Sequence, residues 1–342
     1  IARVLGISQY LWEAFLQSRH QQLFPLLANP EELAIRNSLE AMTLELNSAC
    51  DSATSATARW TALNEFKDRH VFRIDMRNVL GHCRPFGTFS KELTELAELV
   101  VSKALQLAWQ QLVPEYGQPV CADGVTPCLW TVAGLGKFGG VEMGFASDIE
   151  LMLIFAEAGR TDGANSIPNA AFFDQMVNVV ASGIIAPQDG IFHVDLRMRP
   201  FGQAGSGAVS LHDFENYYAV DGPAWPYERQ ALVKLRCVAG DSQFRVLVTA
   251  ASHRAIYSTG QFDFPAMRAM RERQIRQLVH GGAINVKLSD GGIVDCEYAV
   301  QAMQITFGDE SMTLRHPNTL QALNEAAHQG LVDPAHLVSI ER

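Results

Sequence analysis

Two carboxylates stand two residues apart at the start of an apolar run, directly after a stretch rich in glycine. Asp148 and Glu150 precede the apolar residues 151–155, and the glycines lie within 134–144. Because alternate residues of a β-strand project to the same face, Asp148 and Glu150 would lie side by side while Ile149 points into a core. Two like charges on a buried face are costly unless a cation neutralises them. The spacing therefore predicts a metal site.

A third acid, Asp195, interrupts the apolar segment 191–196. Carboxylate oxygens are the ligands that Mg²⁺ prefers, and two such ions about 3.5–4 Å apart can activate an attacking hydroxyl and stabilise a departing pyrophosphate. We predict that Asp148, Glu150 and Asp195 are catalytic metal ligands for two Mg²⁺ ions. Taken singly, each acid also has a structural explanation, as a solvated strand end or a satisfied structural carboxylate.

The glycine-rich turn before these acids is a candidate phosphate-binding loop. Gly136, Gly139 and Gly140 would bring backbone N–H groups to a triphosphate, and Lys137 would add a positive charge. Ser147 would bond this loop or cap the strand that follows. A glycine-rich turn alone is weak evidence for phosphate binding. Its position next to the paired acids is what favours a nucleotide site.

Hydrophobic periodicity predicts the elements that position these residues. Residues 1–115 show helical spacing, most clearly over 91–113, with Ser90 as the N-cap. The predicted strands are 128–134, 148–155 and 191–196, with an extended piece over 284–288. The other predicted helices are 170–185, 213–218, 227–235, 267–279, 294–307 and 320–327. The pattern indicates an α+β fold in three domains: a helical domain 1–115, a catalytic domain 116–244 and a helical bundle 245–342.

The composition argues against two classes of protein, nucleic-acid-binding proteins and membrane-spanning proteins. The 342 residues carry 27 basic and 37 acidic side chains, a net charge of −10, which argues against binding to nucleic acid. Apolar runs fall short of the roughly 18 residues that a membrane span needs. The six cysteines form no C-x-x-C pair, which favours free thiols in a reducing cytoplasm. The chain begins at Ile1, and we expect it to be part of a longer protein.

Four segments add a resemblance that is far more specific than the loop alone. They are residues 136–150, 194–200, 227–236 and 287–297, in this order. Together they resemble the bacterial glutamine synthetase adenylyltransferase/adenylyl-removing enzymes, over essentially the whole chain, including Arg19 and His20. The glycine loop and three acids are likewise similar to the signature of the nucleotidyltransferase fold, which accepts Glu at the second acidic position.

The resemblance implies a specific reaction and specific partners. Enzymes of this family carry two nucleotidyltransferase units, one that transfers AMP from ATP to a tyrosine of glutamine synthetase and one that removes it by phosphorolysis, giving ADP. This chain holds one unit. The amino-acid sequence of residues 199–202, together with Tyr217 and Tyr218, favours the removing unit. The resemblance implies a cytoplasmic enzyme with glutamine synthetase as substrate and the PII signal protein as regulator of the full-length enzyme. It also places Arg197, Arg199 and Lys287 near the nucleotide, and a salt bridge to Asp148 or Asp195 is the alternative for the two arginines.

One departure leaves alternatives open. The family usually has Asp where this chain has Glu150, and the extra methylene could retune or weaken the metal site. A regulatory module that binds nucleotide without catalysis is therefore a second interpretation, and a PII uridylyltransferase is a third. Two further interpretations favour structural roles: core packing for Trp225 and Tyr227, and a solvated helix face for the arginines within 268–276.

Overall fold

The computed structural model describes residues 30–145, 147–186, 192–258, 262–279 and 284–333. Arg19 and His20, and the predicted helical start before residue 30, lie outside the described residues. The described chain begins with helices α1 (Pro30–Ala34), α2 (Leu39–Asp51), α3 (Ala56–Val79) and α4 (Thr88–Tyr116). Ser38 and Ser55 cap α2 and α3 by accepting hydrogen bonds from Ala41 and Ala58.

The long helix α4 differs from its prediction at both ends. It begins after Gly87, so the prediction that Ser90 is the N-cap is wrong, and Ser90 lies in the first turn. Pro114 lies inside the last turn, and the helix ends at Tyr116, followed by Gly117 with a positive φ of 86°. The apolar stripe itself is confirmed, because Leu93, Leu96 and Leu112 are all buried.

A mixed sheet forms the centre of the molecule. Its strands are β2 (Trp130–Gly134), β3 (Ile149–Phe155), β5 (Val194–Asp195), β6 (Ala208–Ser210) and β7 (Arg236–Gly240). Strand β2 pairs antiparallel with both β3 and β7, whereas β5 and β6 run parallel to β3. Strands β1 (Pro119–Cys121) and β4 (Gly159–Thr161) form a separate antiparallel pair. The prediction of an α+β fold with a mixed sheet is confirmed; β1, β4, β6 and β7 were not predicted.

After Glu150, the side chains on both faces of strand β3 are buried. Leu151, Leu153 and Phe155 join the core formed with α2, α3, α4 and the helix α6 (Asn169–Gly183). Met152 and Ile154 point the other way, into a second core. That core contains residues of α7 (Leu211–Tyr218), α9 (Ser242–Tyr257) and α11 (Ile293–Phe307). Strand β3 is therefore held from both sides, which fixes the acids at its beginning.

Shorter elements complete the described chain. They are α5 (Gly136–Gly139), α8 (Pro226–Ala231), α10 (Phe264–Leu278), α12 (Thr319–His328) and the 3₁₀ turns Gly202–Ala204, Leu232–Lys234 and Met312–Leu314. The prediction of an extended piece over 284–288 is wrong. Asn285 folds this segment into a turn, accepting hydrogen bonds from the N–H groups of Lys287 and Leu288. Among the described residues, no helix is long and apolar enough to cross a membrane.

Candidate active site

The strand register brings two of the three predicted acids together. Glu150 of β3 is the direct partner of Asp195 of β5 in a parallel ladder, so their side chains share one face of the sheet. Asp148 precedes β3 by one residue and stands close enough to raise the pKa of Glu150. We call Asp148, Glu150 and Asp195 the carboxylate face.

The carboxylate face brings negative charges together in a partly buried place, which is unfavourable. Burial raises the pKa of Glu150, and the charges of Asp195 and Asp148 raise it further, against weaker opposing effects of Arg197 and Lys287. The Oδ1 atom of Asp148 is buried and has no hydrogen-bond partner among the described residues. A negative cluster with an unsatisfied oxygen is poised for a positive ligand.

Asp195 has a partner of its own. Arg197 donates from Nε to both carboxylate oxygens, at 3.0 and 2.9 Å, and from Nη2 to Oδ2 at 2.6 Å. Burial alone would raise the pKa of Asp195, but the hydrogen bonds and charge of Arg197 outweigh it and lower this pKa. The Arg197 side chain is 66% exposed, so the same guanidinium also faces the open side of the site.

Arg199 has a different environment. It donates hydrogen bonds to the carbonyl oxygens of Gly202 and Leu196, at 3.1 and 3.0 Å. It therefore stabilises the loop that follows β5. Its predicted contact with nucleotide stays a prediction.

The carboxylate face suits a metal ion in its chemistry but is not assembled around one. All its donors are carboxylate oxygens, which suit a hard cation, and Asp148 supplies the unsatisfied one. Among the described residues, no group of three His, Cys, Asp or Glu side chains is arranged to hold a metal ion. The pairing of Asp195 with Arg197 gives a physical reason, since both oxygens of this one carboxylate already accept hydrogen bonds from Arg197.

The glycine loop packs directly against the carboxylate face. Gly136 has a φ of +50°, and a Cβ placed on it would lie 1.8 Å from Oε2 of Glu150. Only glycine fits here without displacing that carboxylate. Gly139 is equally close-packed, because a Cβ there would lie 1.9 Å from the carbonyl oxygen of Lys234. The loop and the acids therefore form one site.

Not every backbone amide of the loop is free for a phosphate. The N–H groups of Gly139 and Gly140 donate to the carbonyls of Leu135 and Gly136, at 2.8 and 3.0 Å. The amides at the beginning of α5, those of Gly136, Lys137 and Phe138, have no acceptor within the turn. Lys137 is half-buried beside them. Any backbone contact with phosphate would thus come from the start of the turn.

Ser147 closes the turn before β3. Its Oγ accepts a hydrogen bond from the N–H of Gly144 at 2.8 Å, and its carbonyl accepts one from Phe192 at 3.0 Å. The second bond ties the beginning of β3 to the residue that leads into β5. Ser147 therefore helps to place Asp195 next to Glu150.

Charged side chains hold the far end of the glycine loop. Arg236 of β7 donates from Nε to the carbonyl of Gly139 and from Nη2 to that of Phe138, at 2.9 and 3.1 Å. It also forms a salt bridge of 2.7 Å with Glu98 of α4. Lys234 and Glu142 form a second contact, with Nζ and Oε2 2.5 Å apart. We call Glu142, Lys234 and Arg236 the loop anchor.

Comparison with known proteins identifies the family. The profile of the glutamate-ammonia ligase adenylyltransferase family matches residues 1–250, which include the whole sheet, the glycine loop and all three acids. The chain belongs to this family. A second profile, that of the GlnD PII-uridylyltransferase, matches residues 265–342. The resemblance inferred from the four sequence segments is thus confirmed.

Individual relatives agree with the family profile. The chain is similar to the bifunctional glutamine synthetase adenylyltransferase/adenylyl-removing enzyme of Chromobacterium violaceum, with 36% identity over all of this chain and 37% of the relative. The corresponding enzyme of Pseudomonas putida is 30% identical over 93% of this chain and 33% of the relative. The chain therefore spans about a third of the length of these relatives.

Two acids and a lysine of this adenylyltransferase-family chain lie on the C-terminal side of the site. Lys287 is exposed in the turn before α11, and its charge acts on both Glu150 and Glu297. Burial raises the pKa of Glu297, and the nearest positive charges that counter it include Lys234, Lys137 and Lys287. Asp295 instead pairs with Arg271, whose Nε lies 2.5 Å from Oδ1. Glu297 is thus within electrostatic range of Lys137 in the glycine loop, whereas Asp295 is structural.

Of the two predicted structural roles, the one for Trp225 and Tyr227 is wrong, and the one for the arginines within 268–276 holds for three of the four. Trp225 and Tyr227 are 64% and 45% exposed and stack on each other, with ring centroids 6.4 Å apart, so they do not pack in the core. Arg268, Arg273 and Arg276 are exposed, as a solvated helix face predicts. Arg271 is the exception, because it is buried and donates to the carbonyls of Leu288 and Ser289. Sequence reasoning also gave no role to Glu142 or Arg236. Neither the family segments nor helical spacing indicate their contacts.

Proposed function

We propose that this chain is a nucleotidyltransferase unit that controls glutamine synthetase by moving an adenylyl group onto or off one of its tyrosines. The observation that carries the proposal is the convergence of Glu150, Asp195 and Gly136. Two acids share one sheet face, and a glycine where any Cβ would displace one of these carboxylates lies against them. The names of the relatives support glutamine synthetase as the protein substrate.

In the removing direction, a phosphate oxygen attacks the α-phosphorus of adenylyl-tyrosine. The bond from phosphorus to the tyrosine oxygen breaks, that oxygen takes up a proton, and ADP leaves. In the adding direction, the tyrosine oxygen loses its proton, attacks the α-phosphorus of ATP, and pyrophosphate leaves. We favour removal, on the sequence of residues 199–202 and on Tyr217 and Tyr218.

The residues of this chain have separate parts in either direction. Asp148, Glu150 and Asp195 would hold Mg²⁺, which when bound supplies positive charge to the phosphates and to the attacking oxygen. Lys137 and the start of α5 would bind the phosphates of the nucleotide. Arg197 and Lys287 would add charge from the open side of the site. Positioning and electrostatic stabilisation account for the catalysis, without a covalent intermediate.

The context of the reaction follows from the same comparisons. We place it in the cytoplasm, which the six unpaired cysteines support. The similarity of residues 265–342 to the GlnD PII-uridylyltransferase supports the PII protein as regulator of the full-length enzyme.

A two-way product assay tests the proposal. The chain is incubated with adenylylated glutamine synthetase and phosphate, and in parallel with unmodified glutamine synthetase and MgATP. ADP release in the first reaction is expected, and pyrophosphate release in the second would instead assign the adding direction. Nucleotide binding without either product would favour a regulatory module. A reaction that needs UTP and PII in place of ATP and glutamine synthetase would favour a uridylyltransferase.

A further inference from the structure

Lys234 is a buried cation with two partners from distant parts of the chain. It ends the 3₁₀ turn Leu232–Lys234 and is only 5% exposed. Its Nζ donates to Oε2 of Glu142 at 2.5 Å and to Oγ1 of Thr319 at 2.6 Å. Burying an ammonium group is costly unless it is paired, so these two bonds are what make the position tenable.

Both partners belong to segments with a clear structural role. Glu142 follows the glycine loop by two residues, and its N–H donates to the carbonyl of Lys137 at 2.8 Å. Thr319 is the first residue of α12. The side chain of Lys234 therefore lies between the end of the glycine loop and the beginning of a C-terminal helix.

Two direct bonds join the same segments. The N–H of Thr319 donates to Oε1 of Glu142, so this carboxylate accepts at the positive end of the α12 dipole. Asn318, the N-cap of α12, donates from Nδ2 to the carbonyl of Gly140 at 2.9 Å. The beginning of α12 thus contacts the loop at Gly140 and Glu142.

Helix α12 is itself part of the C-terminal block. Ala322 and Leu323 of α12 pack with Val300 of α11. Helix α11 carries Glu297, whose charge environment includes Lys234 and Glu142. A displacement of these two helices would therefore act on the end of the glycine loop.

We infer that Lys234, through Glu142 and Thr319, couples the C-terminal helices to the glycine loop, so that the nucleotide affinity of the loop depends on the position of α12. Lys234 is a positioning residue, since it contacts neither the carboxylate face nor the first turn of α5 with its ammonium group. For its effect on nucleotide this inference rests on the proposed function; its effect on the loop does not.

Three variants test the coupling without removing a proposed ligand. Thr319→Val replaces the hydroxyl by a methyl group of the same size. Lys234→Met keeps the aliphatic stem and removes the charge, and Glu142→Gln keeps the acceptor for Thr319. The matched control is Thr313→Val, because the Thr313 hydroxyl bonds to Glu325 at 2.8 Å within the C-terminal block and does not reach the loop.

The main readout is hydrogen exchange of the amides of residues 139–142 in the chain without nucleotide. We expect exchange to be faster by about tenfold in Thr319→Val, which loses one charge-assisted hydrogen bond, and by at least as much in Lys234→Met, which loses two. Exchange in Thr313→Val should be unchanged. The exchange rate in Glu142→Gln should lie between the rates in Thr319→Val and Thr313→Val. Calorimetric titration with MgADP and MgATP should show weaker binding in the same order, and in the product assay KM should rise more than kcat falls.

Equal exchange in Thr319→Val and Thr313→Val would overturn the coupling. If Lys234→Met does not fold, as judged by circular dichroism, the isosteric Thr319→Val decides the matter alone. A wild-type chain that binds neither nucleotide would contradict the proposed function, and the exchange comparison would still decide the coupling.

Discussion

The two sides of the glycine loop differ in whether their charges are paired. On the carboxylate face, three acids lie close together and burial raises the pKa of Glu150. In the described part of the chain, a buried oxygen of Asp148 has no hydrogen-bond partner. In the loop anchor, Glu142, Lys234 and Arg236 all have partners at hydrogen-bond distance. A region whose charges are already paired supports structure, whereas one with surplus charge of a single sign is prepared for a ligand. The contrast separates the reactive side of the loop from its support.

The largest effect should come from removing an acid of the carboxylate face. Asp195→Asn keeps the size of the side chain but removes a proposed metal ligand, so we expect turnover in the product assay to fall by about 10³-fold or more. Circular dichroism should stay unchanged. The control Asp51→Asn, at a carboxylate that is 78% exposed on α2, should retain full activity. Near-normal activity of Asp195→Asn would remove the carboxylate face from the mechanism.

The next effect tests whether loop and acids form one site. Gly136→Ala should lower the free energy of unfolding by about 1–2 kcal/mol through its left-handed backbone, and should also displace the Glu150 carboxylate. Its affinity for MgATP should fall by about tenfold. Gly81→Ala is the matched control, since Gly81 has a φ of +80° with no atom within 4 Å of a Cβ. It should lose similar stability and no affinity; equal losses of affinity would separate the loop from Glu150.

A smaller effect has the opposite sign. Because the pKa of Glu150 is raised in the folded protein, its charge opposes folding above that pKa. Glu150→Gln should therefore raise the Tm of the ligand-free chain by about 1–3 °C at neutral pH. The gain should disappear as the pH falls below the ordinary value of 4.5, where Glu150 is protonated in both states. Adding Mg²⁺ should stabilise wild type more than the variant. A variant less stable than wild type at neutral pH would show that the charge is compensated.

The smallest effect concerns the exposed partner of Asp195. Arg197→Gln should change the free energy of unfolding by less than about 0.5–1 kcal/mol, because the Arg197 side chain is mostly exposed. It should nevertheless free the Asp195 oxygens, so binding of Mg²⁺ alone, measured by calorimetry, should strengthen several-fold. Unchanged or weaker Mg²⁺ binding would mean that Arg197 does not compete for Asp195.

The parts of the site that follow from strand geometry could be predicted from the sequence. The alternation of side chains along a strand predicted that Glu150 and Ile149 project to different faces. Asp195 was recognised as an isolated acid among apolar residues. The register, in which Glu150 is paired with Asp195, agrees with both predictions. The prediction of an extended piece over 284–288 was wrong because a short apolar alternation does not reveal side-chain hydrogen bonds. Here the Asn285 side chain accepts from the N–H groups of Lys287 and Leu288, which folds the segment into a turn. The prediction that Trp225 packs in the core was wrong because aromatic character alone does not determine burial.

The loop anchor could not be predicted at all. Its bonds join residues that are 92 and 177 positions apart in the chain, as Lys234 with Glu142 and Thr319 with Glu142 do. Periodicity reports only on neighbours within one element, so contacts of this kind are determined by the tertiary fold. The strands of three residues, such as β6, were missed for a related reason, since so short a segment carries no period.

The contact between Gly136 and Glu150 also has a consequence for how such sequences can diverge. The Glu150 carboxylate fills the space that a Cβ at position 136 would need, and an Asp side chain at 150 would be one methylene shorter. A chain with Asp at 150 would leave that space open, and position 136 would then be restricted only by its backbone. Substitutions at these two positions should therefore be interdependent, because a side chain at 136 would have to displace the carboxylate of Glu150.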